Sequence, residues 1–400
     1  MGAVESLRGY CLAFFVLLYV LAEYLSSITG IEPTTQKQIC LIPFIIFTFM
    51  SKCKMNNTAF ILRIIISILI LLVLNFVFCE PHTFSMRLLF NIIFLYFVSY
   101  KEIPLKSLVT VFTFVKISAI LFAASVFYLY LSYGFYVRTE ALIDKSLASG
   151  VLALCFMVCW IDVILDRKRI INVLIIAVIL YIDIFIIVSK TSIFSFLFFI
   201  VITFFYMKKE DRRIYMRISK YILGIACIII FIFPDIALSD DLKETINTII
   251  GQDVYELSKV RVDNTFSVRG YLIEYSINQL FLNHPFIGIG IGNFAYYNQS
   301  FYSDIGETES SALAIITEGG VYYAVVMIVF YYTLIKKGIK RIRERLGYEE
   351  CIAVGLPIVY FILCIGNDFM DSLYWIMMGI SYSILYKKEN LFERTITNKK

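Results

Sequence analysis

Apolar residues fall along this chain in runs of about 20, long enough to cross a hydrocarbon layer, and short polar breaks separate them. Hydropathy predicts about twelve spans, near 10–27, 35–51, 58–79, 85–100, 107–133, 147–166, 170–189, 191–207, 218–237, 310–335, 350–367 and 370–386. The second, fourth and eighth are short. The pattern predicts an all-α polytopic integral membrane protein in three parts. Residues 1–237 carry helices 1–9, residues 238–309 form one large loop, and residues 310–400 carry helices 10–12 and a basic tail.

Loop charge orients these spans. With the N-terminus inside, Lys52 and Lys54, Lys101 and Lys106, 167–169, 208–220, 336–345 and the 387–400 tail all fall inside. With Arg8 and Arg63 these make 26 of the 36 Lys and Arg inside, against nine outside and one, Lys116, within a span. Cytoplasmic loops collect basic residues in this way, so both termini are expected in the cytoplasm. Two outer loops then stand out by length, near 133–146 and 238–310, the second far longer than a connection needs. Within it Asp241 to Glu244 reads as a capping box. Leu242, Ile246, Ile249 and Ile250 form one apolar face suited to the membrane surface. A second helix is expected after Ser267 and before Pro285, with Ile273, Ile277, Leu280 and Phe281 facing inward.

Composition excludes several classes. At 60% hydrophobic and 17% charged, the chain is no soluble domain, and its net charge of +5 comes from inner loops rather than a nucleic-acid surface. The nine cysteines lie mostly inside apolar runs without His partners at ligand spacing, so neither a disulfide framework nor a zinc site is expected. The N-terminal run lacks a small-residue cleavage site and reads as an uncleaved first span. MGAVES matches a myristoylation pattern in letters only.

The densest chemistry lies between Arg269 and Gly320: an Asn-His-Pro-Phe turn, then GIGIGNF, then Glu309-Ser310, then Glu318-Gly-Gly opening an apolar run. The glycine spacing does not fit a dinucleotide fingerprint, which needs G-x-G-x-x-G between strand and helix. Gly288, Gly290 and Gly292, with Asn293, instead suit a tightly turning segment that approaches a neighbour or a lipid headgroup. His284, beside Pro285, reads as a turn residue.

This stretch resembles the bacterial O-antigen polymerase/ligase superfamily, whose largest external loop carries a Pro-x-x-Gly-x-Gly element. The likeness covers mainly 138–192 and 269–320. Arg138 falls at the family's earlier loop Arg, with the following Gly one place on at Gly150. Lys190, in Ser189-Lys190-Thr191, stands where the family has Arg, and Arg269 matches the Arg before the glycine element. Glu309-Ser310 stands where the ligases have His-Asn, which favours the repeat-unit polymerase (Wzy) branch. The resemblance implies a GT-C-like membrane glycosyltransferase in the bacterial cytoplasmic membrane, metal-independent and without cofactor. It would act on polyprenyl (undecaprenyl) diphosphate-linked oligosaccharide in O-antigen, capsule or exopolysaccharide synthesis, with a flippase and a chain-length regulator as partners and no nucleic acid.

Roles follow from leaving-group chemistry. A departing diphosphate needs donors; external cations are scarce here, and Arg87, Arg138, Lys190 and Arg269 are expected at or near the outer membrane face. Arg138 and Arg269 lie in the long loops and are expected to act, whereas Arg87 is read as a headgroup anchor. Glu309 is the expected base for the acceptor hydroxyl, with Glu140 an alternative. Glu318 suits a structural partner as well as a catalyst. Inside the spans, Lys116 is expected to pair with Asp183 or to serve a pathway, and Asp162 to reach the cytoplasmic interface. A flippase and an O-antigen ligase acting on lipid A–core are the competing functions.

Overall fold

The computed structural model describes residues 3–30, 33–82, 85–133, 145–165, 169–183, 190–207, 272–298, 310–366 and 371–387, with single positions at 212, 216 and 270. Most of these residues are helical, with turns and loops between the helices and one isolated β-bridge between Met55 and Lys101. The helices are α1 (Ala3–Thr29), α2 (Pro33–Met50), α3 (Ala59–Phe78), α4 (Met86–Tyr100), α5 (Leu105–Tyr133), α6 (Lys145–Ile164), α7 (Arg169–Ile182) and α8 (Lys190–Tyr206). They continue with a single turn α9 (Phe294–Tyr297), then α10 (Ser311–Glu344), α11 (Tyr348–Gly366) and α12 (Ser372–Leu385). Five of these, α1, α3, α5, α10 and α11, are long and apolar enough to cross a membrane, and shorter apolar helices stand beside them. The predicted ninth span and the predicted 241–250 helix lie outside the described residues.

Residues 373–385 of α12 are buried on every side, as are 351–360 of α11 and most of α6. A helix that is apolar all round belongs in the centre, and these three make the core, around Trp160, Phe156 and Trp375. The outer helices bury one face and leave the other apolar and exposed, as Ile66, Ile70, Val73 and Val77 of α3 show. Small residues bring axes close: a Cβ on Gly338 would meet Val354, and one on Gly379 would meet Val98. Pro357 inside α11 cannot donate to the Ala353 carbonyl four residues back. The Ser381 hydroxyl of α12 does so instead, at 2.6 Å.

One end of the bundle is basic and sewn together. Arg8 donates to the carbonyls of Lys101 and Glu102, and Lys101 donates to those of Phe49 and Ser51. Asn56 bonds Tyr100 and Ser99, and the Tyr382 hydroxyl reaches the Asn57 carbonyl at 2.6 Å. The basic C-terminal turns of α10 join here, where Arg341 donates to the Leu385 carbonyl at 3.1 Å. Helix rise then gives depth along the bundle: Gly320 stands about 31 Å from Arg341, and Asp371 about 21 Å from Leu385.

Candidate functional site

Helix α10 is broken at its far end. Gly320 has φ 63° and ψ −166°, and the break strips neighbouring backbone groups of helical partners. The glycine loop supplies them. Ile289 N–H donates to Thr317 C=O (3.0 Å) and Gly290 N–H to Glu318 C=O (3.0 Å), while Val321 and Tyr322 N–H donate to Pro285 and Phe286 C=O (2.8 and 3.0 Å). Irregular backbone at membrane depth is tolerated where such partners exist. The contact leaves no room for side chains: a Cβ on Gly288, at φ +69°, would run into the Glu318–Gly319 peptide.

Side chains then lock the loop. The Glu318 carboxylate accepts from Gly292 N–H (3.0 Å) and Phe294 N–H (3.3 Å). Asn75, at the end of α3, donates to Ile287 C=O and accepts from Ile291 N–H, and the Cys79 thiol donates to Gly288 C=O. Asn293, 2% exposed, donates to the carbonyls of Pro81 and Ile289. His284 sits exposed in the turn, its ring edge-on to Tyr297.

Four helix ends gather polar groups. Ser310 caps α10 and donates to the last carbonyls of α11, Cys364 (3.2 Å) and Ile365 (2.9 Å). Thr191, in the first turn of α8, packs on Gly366 at the end of α11. Asp371 caps α12 by accepting Tyr374 N–H at 3.0 Å, and its other oxygen accepts the Tyr19 hydroxyl. Ser372 donates to Asn91 Oδ1 of α4 at 2.8 Å. The sequence pattern does not single out Asp371, whose only signal is a short polar interruption between the last two apolar runs.

The intramembrane charges differ from expectation. Lys116 pairs with Asp162 of α6 and donates to Asn172 of α7 at 2.6 Å, so it does not pair with Asp183. Asp162 is therefore a partner inside the bundle rather than an interfacial carboxylate. Asp183 accepts the Ser192 hydroxyl across the α7–α8 connection. The helix before Pro285 also turns differently: Leu272, Ser276 and Leu280 are buried, Phe281 is half-buried, and Ile273 and Ile277 are exposed. A π turn over Ser276–Phe281 rotates its face.

Of the residues singled out by sequence, Gly288, Gly290, Gly292, Asn293 and Glu318 come together at the break. Arg138, Glu140, Arg269 and Glu309 lie outside the described residues, and Lys190 is described in its backbone only. Their chain neighbours are informative: Ser310 follows Glu309, Thr191 follows Lys190, and both contact the last turn of α11. No family model matches this chain, and no match was found among curated proteins.

Proposed function

We propose that this chain is a membrane glycosyltransferase that polymerises lipid-linked oligosaccharide repeat units. On this reading it crosses the bacterial cytoplasmic membrane about twelve times with both termini inside. The growing glycan leaves its polyprenyl diphosphate at the outer face and joins the terminal hydroxyl of an incoming repeat unit. Arg138, Lys190 and Arg269 hold the diphosphate, and a carboxylate takes the proton, for which Glu309 is the sequence candidate.

The observation that carries the reading is the convergence at α11. The residues following Lys190 and Glu309 meet the same helix end, although 119 positions separate them in the chain. Thr191 and Ser310 share the last turn of α11, and on this reading Lys190 and Glu309 act beside it. The test is deletion of the gene followed by inspection of the surface glycan. Loss of long chains with single repeats retained supports polymerisation, and an unchanged ladder overturns it. In the same assay, Arg269→Ala giving unchanged long chains ends that residue's role. Mapping 238–310 to the cytosol would also overturn the reading.

Transport is the second reading, favoured by the discontinuity of α10, since broken helices build substrate sites in transporters. Lipid-linked sugar crossing proteoliposome bilayers without chain growth would select it.

A further inference from the structure

We propose that Asp371 accepts the proton of the attacking hydroxyl in this reaction and that Arg87 faces the departing diphosphate. The inference rests on the polymerase reading and moves the proton-accepting role from Glu309 to the last helix of the bundle.

Three observations converge on Asp371. It is half-buried where α11 ends and α12 begins, about 21 Å from the basic end, so it stands in the outer half of a core about 30 Å thick. Its two oxygens accept the Tyr19 hydroxyl and the Tyr374 amide. Beside it the Tyr360 hydroxyl, on a side chain 1% exposed and edge-on to Tyr374, has no hydrogen-bond partner among the described residues. A buried hydroxyl in that state costs free energy unless a ligand meets it, and a sugar hydroxyl can both donate and accept.

Arg87 supplies the opposite charge. It lies in the first turn of α4, one turn from Asn91, and the Asn91–Ser372 hydrogen bond ties that helix to the residue after Asp371. The Arg87 side chain is exposed and makes no salt bridge among the described residues. A helix cap alone would explain the Asp371–Tyr374 bond. It does not explain why the same carboxylate also accepts a phenol from α1, with an unpartnered phenol beside it.

The atoms balance as follows. The acceptor oxygen bonds to the anomeric carbon while the bond from that carbon to the diphosphate oxygen breaks. The electron pair leaves on the diphosphate beside Arg87, and the hydroxyl proton passes to Asp371.

The experiment uses the full chain in membranes with polyprenyl-diphosphate-linked repeat units, reading initial rate and chain length. Asn caps helices as well as Asp through its one oxygen, and its amide N–H can donate to the Tyr19 oxygen instead, so Asp371→Asn should melt like the parent. It should lose about 100-fold or more in rate, together with the acid limb of the pH profile. Arg87→Ala, at an exposed position that leaves packing intact, should lose about 100-fold in kcat, with partial rescue by Lys. Parent-like rates in Asp371→Asn or Arg87→Ala would overturn the inference while leaving polymerisation standing. Loss of the acid limb in Glu309→Gln alone would do the same. A parent protein that elongates nothing overturns the polymerase reading, and the inference falls with it.

Discussion

Two polar intrusions into this apolar bundle are neutralised in opposite ways. Between α5, α6 and α7, Lys116, Asp162 and Asn172 satisfy one another through side chains. At the break in α10, backbone satisfies backbone: the glycine loop meets the amides and carbonyls around Gly320, and Glu318 adds a carboxylate. Side chains can be exchanged as a set, because apolar residues of similar volume replace a buried ion pair at little or no cost. Peptide groups cannot be substituted away. The first cluster is therefore dispensable as a unit, whereas the second obliges α10 and its loop to remain together.

The contrast can be broken by mutation and read as thermal stability of the purified protein in detergent. Lys116→Met leaves Asp162 buried without its cation and should cost about 3–5 kcal/mol. Adding Asp162→Leu should recover most of that loss, and failure to recover would show that the cluster is not a self-contained unit. Gly288→Val forces a branched side chain against the Glu318–Gly319 peptide at a left-handed φ and should cost about 3 kcal/mol. No single partner substitution should restore it. Glu318→Gln turns one amide acceptor into a donor and should cost about 2 kcal/mol. Gly292→Ala sharpens the comparison further. Gly292 also has a positive φ, but a Cβ there would meet nothing within 4 Å, so only the backbone contribution, about 1 kcal/mol, should emerge.

Much of the helix order is legible in the sequence because an apolar run of span length has few alternatives. The predicted third span, 58–79, is α3 within a residue at each end, and the predicted fourth is α4. What stays hidden is facing. Hydropathy says that Lys116 is inside a run but not which neighbouring helix its face meets, so Asp183 is as good a partner by pattern as Asp162. Ile273 and Ile277 show the same gap, since an apolar side chain suits lipid as well as core. The glycine loop is partly legible: three glycines announce a close approach, but not that its target is a second break at Gly320. Asp371 is invisible for another reason. Its surroundings come from α1, α4, α11 and α12, which are brought together only by the fold.

The knot of hydrogen bonds joining Arg8, Asn56, Lys101 and Tyr382 has a mechanical consequence. Like stems tied at the base of a bouquet, these helices cannot part there without stripping donors from several buried carbonyls at once.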